Sequence, residues 1–516
     1  MAKAPICPAQ DAAQMGRTGS LVYDVTAFGA TGDGKTLDGA AINRAIDECA
    51  LHGGGTVYFR AGNYLSYSIH LKSKVALYLD QGATIIAADP ASDPARSYDP
   101  AESNKPWEEY QDFGHNHWHN SLLWGEGLED VSILGPGLIW GRGLSRGWAA
   151  GRDRGPVAEN PGVANKAIAL KNCRNVILRD FSILHGGHFG ILATGVDNLS
   201  IDNLKIDTNR DGMDIDCCRN VRVSNCSVNS PWDDAICLKS SFALGYARAT
   251  EMVTISNCLV SGSFDEGRLL DGTWKRLADD AKVFRTGRIK FGTESNGGFK
   301  NITVSNCVFE GSNGLAIESV DGALIEDVSC SNIAMRDVYN APIFLRLGAR
   351  MRGPTAASVG AIRRVQLSHI TSIQAARSAR VGAILAGIPG HPIEDVKISD
   401  VTIVYTGGGT KADAQLVLAE KEKDYPEPTM FGTTPAYGFF LRHVKGLEMN
   451  GVKIEPVNDD ARPAFVLEDV EGADFGRIKA QRSVPTFSLH RVREFSVVRS
   501  RPVKDTEIEN VEKGEV

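Results

Sequence analysis

Five aspartates, Asp211, Asp214, Asp216, Asp233 and Asp234, fall between Asn209 and Ser241, among short apolar alternations. Asp211 and Asp233 are 22 residues apart, and similar intervals recur nearby: Val176 to Leu199 is 23, Leu199 to Val221 is 22, and Asn203 to Asn225 is 22. Residues one period apart in a stack of short strands lie on adjacent rungs, about 4.8 Å from each other. Asp211 is therefore expected almost beneath Asp233 and Asp234. Carboxylates crowded on one face cannot all ionise freely, so one tends to keep a proton while another stays charged. That is the pairing acid/base work on a glycosidic bond needs: an acid for the leaving oxygen and a carboxylate for the attacking water. A buried polar ladder and a calcium site are the alternatives. No G-x-S-x-G elbow or H-E-x-x-H helix offers a rival chemistry, and GATGDGK near residue 30 lacks the spacing of a phosphate loop.

The elements that must hold these residues are rungs of a solenoid. From about Asn165 the segments NVILRDFSILH, NLSIDNLKID, NVRVSNCSVN, MVTISNCLVS and NITVSNCVFE repeat, and later copies follow to LEMNGVKIEPV. Asn203, Asn225, Asn257 and Asn306 recur at the turns, where stacked amides satisfy each other and tolerate left-handed corners. Cys226, Cys258 and Cys307 follow the same Ser-Asn and read as an inward ladder of reduced thiols; no CxxC or Cys/His zinc spacing occurs among the ten cysteines. A helix over about 38–51, with Ala41, Ile42, Ala45, Ile46 and Cys49 on one face, would cap the open end. The intervals Asn225–Asn257 and Asn257–Asn306 are 32 and 49, so loops erupt beside the aspartates. Long loops in compact folds are commonly functional. Residues 90–120 form another, rich in Trp107, His115, His117, Trp118 and His119, which reads as a substrate wall rather than a metal site. Trp140 and Trp148 stand in a further Gly-rich loop, suited to stacking on sugar rings, with core packing the common alternative. One domain is expected over 21–485, between an N-terminal extension (1–20) and a charged, frayed tail (486–516).

A net charge of −7 and pI near 5.9 give no general attraction to nucleic acid or anionic membranes. No apolar run is long enough to span a bilayer. The first twenty residues lack the apolar core of a signal peptide, which leaves an intracellular chain or one supplied in processed form.

The opening FGATGDGKTLDGAAINRAIDECALHGGGTVYFRAGNY, the segment NRDGMDID and the segment WDDAICLKSS together resemble glycoside hydrolase family 28, the polygalacturonase-like enzymes. The resemblance spans roughly residues 21–480. It implies an all-β, single-stranded, right-handed parallel β-helix of the pectin-lyase type with an N-terminal capping helix. It also implies inverting, metal-independent hydrolysis of a pectic polysaccharide without a cofactor. By position, Asp233 matches the general acid, and Asp211 and Asp234 match the carboxylates that hold water. Asn209 belongs to the first motif, in which Arg210 replaces a threonine, and Lys239 matches a lysine that meets a substrate carboxylate or orients an aspartate. Acting together, Asp233 and Asp234 need a local bend, expected at Pro231-Trp232. A periplasmic or secreted monomer or weak oligomer would follow, with no nucleic-acid or membrane partner.

Two departures concern the substrate. The family's histidine position falls on Gly287, leaving Arg288, Lys290, His185 or His188 as replacements. Its Arg-Ile-Lys falls on Ala316-Ile317-Glu318, while a literal Arg288-Ile289-Lys290 lies one rung earlier. Glu318 would then repel a uronate, and a neutral sugar such as the rhamnose of rhamnogalacturonan would flank the cleaved bond. Alternatively Glu318 pairs with Arg288 or Lys290. Arg346, Arg350 and Arg352 are further cations, facing an acidic sugar or solvent. The reading is an exo-acting pectic hydrolase; plain galacturonan as substrate, a lyase using Lys290 as base, and a non-catalytic carbohydrate-binding solenoid are the alternatives.

Overall fold

The computed structural model describes residues 22–147, 157–354, 357–376, 378, 380–482 and 485–516. Trp148 and the N-terminal extension lie outside them.

The apolar alternation folds into one 35-stranded sheet wound as a parallel solenoid. Around the aspartates each turn contributes three strands. Phe189–Thr194, Asp197–Asp202 and Lys205–Asp207 make one turn, and Asp211–Asp216, Arg219–Ser224 and Ser227–Asn229 the next. Register follows the period in the sequence: Val176 pairs with Leu199, Leu199 with Val221, and Val221 with Val253. These inward residues build a continuous core. Helix Gly39–Leu51 covers the first rung and buries the five residues of its apolar stripe.

The corners behave as their side chains require. Asn203, Asn225, Asn257 and Asn306 adopt φ of 54–57°. Asn257 donates to Asn225, and Asn306 to Asn257, each at 3.4 Å. Cys226, Cys258 and Cys307 are buried free thiols. At the C-terminal end the expected boundary is corrected. Phe487–Val498 is a further parallel rung that buries Phe487, Leu489, Val492, Phe495 and Val497. The tail Thr506–Glu515 is not frayed but pairs antiparallel with it. Ile508 and Val511 pack on the core. A charged strand there covers an edge that would otherwise template another chain. No helix among the described residues is long and apolar enough to cross a membrane.

Candidate active site

Asp211 opens its strand, and the chain bends over Pro231–Asp233 before Ile236–Ser240 begins. Gly287 N–H, donating to Ser230 O and Asp233 O at 2.9 Å, pins that bend. It turns Asp233 and Asp234 to the same side, as the flat alternation of a strand would not. Gly212 N–H donates to Asp234 O at 3.0 Å, which locks the two rungs together. As a result Asp211, Asp233 and Asp234 each present an oxygen within 4.8 Å of the others. The carboxylates are those of a cation-sized cluster as well, but cationic side chains surround it. Arg210 Nη2 lies 3.1 Å from Asp233 Oδ2, Arg288 Nε 2.8 Å from Asp234 Oδ1, and Lys290 Nζ 3.2 Å from Asp234 Oδ2.

The surroundings drive the acids apart. Burial, then the charges of Asp233 and Asp214, pushes Asp211 well above the usual carboxylate range. Burial acts on Asp234 in the same sense, but Lys290, Arg288 and Lys239 outweigh it and hold Asp234 below that range. Asp233 is the open member: its side chain is 25% exposed, against 4% and 3% for Asp211 and Asp234.

The trio lies in a cleft of about 490 Å³ whose lining also includes His115, Arg210, Trp232, Lys239, Phe284, Arg288, Lys290, Glu294, Tyr425 and Glu427. Lys239 Nζ is 2.8 Å from Glu294 and 3.7 Å from Asp214. Trp232 and Phe284 meet edge-on at 5.4 Å between centroids. Phe284 is 62% exposed and offers a hydrophobic face at the mouth. His115, from the 90–120 loop, places Nε2 3.4 Å from Asp214. Gly114 makes that approach feasible, because a Cβ there would meet His188 and Phe189 at 2.6–2.7 Å.

Asp211, Asp233, Asp234, Lys239, Arg288 and Lys290 are thus brought together, whereas Asn209 is buried and outside the cleft lining. Three other expectations are corrected. Arg346 is 1% exposed and absent from the cleft lining; it donates to the carbonyls of Gly387, Glu420 and Lys421 at 2.8–3.0 Å. Its role is to anchor the loop that follows strand Ile393–Gly407. Glu318 is fully buried, outside the lining and 3.9 Å from Lys290, so it cannot repel a ligand directly. His188 lies under the cleft rather than on its wall, stacked on Phe189 with Nε2 3.9 Å from Asp211. Arg350 and Arg352 pair with Asp321 and Asp112, and His185 with Glu266.

The histidines of the 90–120 loop turn to separate partners. His117 contacts Glu102 O, and His119 contacts Glu126 while stacking on Trp124. Trp118 is core, and Trp140 meets His185 away from the cleft. The sequence assigned no role at the site to Glu294, Tyr425 or Glu427. The Pro426 and Pro428 flanking Glu427 were the available signal.

The profile of the glycosyl hydrolases family 28 matches residues 290–421, downstream of a right-handed β-helix profile over 159–275. Residues 22–118 match the rhamnogalacturonase A/epimerase, pectate lyase-like profile. These matches, none of which spans half of the chain, support a glycosyl hydrolase of the family 28 type. The chain is 23% identical to a probable polygalacturonase of Vitis vinifera, over 80% of each chain. It is 22% identical to an exopolygalacturonase of Platanus acerifolia, over 76% of its own length and 92% of the relative's. In fold it is similar to a hyperthermoactive exopolygalacturonase from Thermotoga maritima, with TM-score 0.63 and 19% identity over 85% of this chain and 93% of that one. The chain is a right-handed parallel β-helix and a glycosyl hydrolase.

Proposed function

We propose that the chain is an inverting, exo-acting hydrolase of pectic polysaccharide or its oligosaccharides, acting in the periplasm or outside the cell. The observation that carries this is the carboxylate trio in a cleft whose lining takes Tyr425 and Glu427 from a distant loop. Asp233, the exposed member, is the acid that protonates the leaving oxygen. Asp211 and Asp234 hold the attacking water; oxygens up to 4.8 Å apart can share one water at ordinary hydrogen-bond lengths. By carboxyl separation alone the trio sits nearer the about 5–5.5 Å of retaining enzymes than the about 6.5–9.5 Å of inverting ones. Availability argues the other way. Arg288 and Lys290 keep Asp234 charged, so that it can accept the water's proton, but a glycosyl ester on it would have to break those ion pairs, and Asp211 is buried with its carboxyl pushed up.

A lyase reading is disfavoured by Lys290. Although burial works against its charge, Asp234 at 3.2 Å holds it protonated, well above the ordinary lysine range, which leaves no lone pair for proton abstraction. Rhamnogalacturonan-type substrate, with a neutral sugar beside the scissile bond, is favoured over plain galacturonan. The support is no longer Glu318. It is that Arg210, Lys239, Arg288 and Lys290 each already face a carboxylate of the protein. The test is digestion of a panel of rhamnogalacturonan and galacturonan oligosaccharides of equal length, with identification of the sugar released. Release from one chain end, faster from rhamnogalacturonan, is expected; random internal cleavage would overturn the exo assignment.

A further inference from the structure

Arg288 presents the planar fork that recognises carboxylates best, and the protein itself fills it. Nη1 donates to Glu427 Oε1 at 3.1 Å and Nη2 to Oε2 at 2.7 Å, while Nε holds Asp234. Glu427 comes from a loop 139 residues further along the chain. Its placement is built, not incidental. Pro426 and Pro428 flank it and favour the extended backbone it adopts, φ −133° and ψ 140°. Asn340 Nδ2 donates to Oε1 at 2.8 Å. Behind it, Phe431 packs against Phe440 and under the Arg346 guanidinium. Beside it, Tyr425 accepts from Lys290 at 3.4 Å. The two cations nearest Asp234 are therefore both engaged, and the carboxylate in the fork stands in the cleft wall, 26% exposed.

We propose that Glu427 is a specificity-determining residue: by occupying the carboxylate fork of Arg288, it excludes a uronate carboxylate from that place and selects a ring without one. This rests on the cleft being the pectic site proposed above, and it names the residue that sets the neutral sugar. An incoming carboxylate would meet a fixed like charge and a spent donor pair, and a built-in clash of this kind is an effective means of rejection.

The experiment is a calorimetric titration with digalacturonate and with its carboxyl-reduced, neutral counterpart. It uses Asp233→Asn protein, so that no bond is cut, alone and with Glu427→Ala or Glu427→Gln added. Emptying or neutralising the fork should tighten digalacturonate binding by about 10-fold or more, since removing a close like charge is worth at least ~1.4 kcal/mol. Binding of the neutral disaccharide should change less than about twofold. Glu427→Gln retains the shape of the side chain and an oxygen for Asn340, and it decides the matter if the alanine variant does not fold. Unchanged or weaker digalacturonate binding in the glutamine variant would overturn the proposal. Failure of the hydrolase reading would appear separately, as no turnover of any pectic substrate by the unaltered protein.

Discussion

Lys290 and Asp234 lie on neighbouring rungs with Nζ 3.2 Å from Oδ2, the oxygen opposite the one held by Arg288. The literal Arg-Ile-Lys of the sequence is therefore a clamp on one carboxylate. It fixes which of three crowded acids stays charged. Of the other two, Asp233 is the one a glycosidic oxygen can reach, its side chain 25% exposed against 4% for Asp211.

Asp233→Asn is expected to lower turnover of natural oligosaccharides at least about 10²-fold without loss of fold. An acid matters less when the leaving group is already good. Aryl glycosides with an acidic phenol should therefore be cleaved by Asp233→Asn at a rate much nearer that of the unaltered protein, whereas Asp234→Asn should be poor on both. Steady-state rates on the two substrate types check this. If Asp211→Asn shows the rescue instead, the proton comes from Asp211.

Stability should fall with pH on account of Glu318. Burial, only partly offset by Lys290 and Arg288, raises this carboxyl from 4.5 to about 8. A raised folded value means stability fully present below the unfolded value and lost as pH climbs through about 8. Glu318→Gln removes that dependence. Thermal melts of the two proteins should diverge in the variant's favour between pH 5 and pH 9, by at most about 4 kcal/mol. A constant difference across that range would show that Glu318 is charged throughout.

Arg346→Ala should free the loop that carries Tyr425 and Glu427. Hydrogen bonds from a buried cation to carbonyls contribute about 1.5–3 kcal/mol each, so the melt should drop by several degrees. Limited proteolysis should open the chain within 411–432. Arg346→Lys, which lacks the fork, should restore only part of the loss. Unaltered cleavage of that loop would place its anchor elsewhere.

What the sequence discloses follows the period. Asp211, Asp233 and Asp234 are legible because a 22-residue rung turns spacing into proximity, and the asparagine and cysteine columns are legible for the same reason. Glu427 and Arg288 are 139 residues apart, and no periodic signal crosses a loop. His115 reaches Asp214 the same way. Glu318 and Arg346 were misplaced because strands Leu315–Ser319 and Ile343–Leu347 are buried on both faces. Alternation separates inside from outside, but not a cleft wall from a face that another loop covers. The C-terminal strand was missed because its charges obscure the few apolar residues, Ile508 and Val511, that seat it.

The reading of the trio as water-activating rather than nucleophilic is tested most directly by the stereochemistry of the first product. Proton NMR of a fresh digest, recorded before mutarotation, reports the anomer released. The released sugar should carry the anomer opposite to that of the scissile bond, because water held by Asp211 and Asp234 attacks from the side away from the leaving oxygen. Retained configuration would contradict it, since that outcome requires a covalent glycosyl-enzyme on one of these carboxylates.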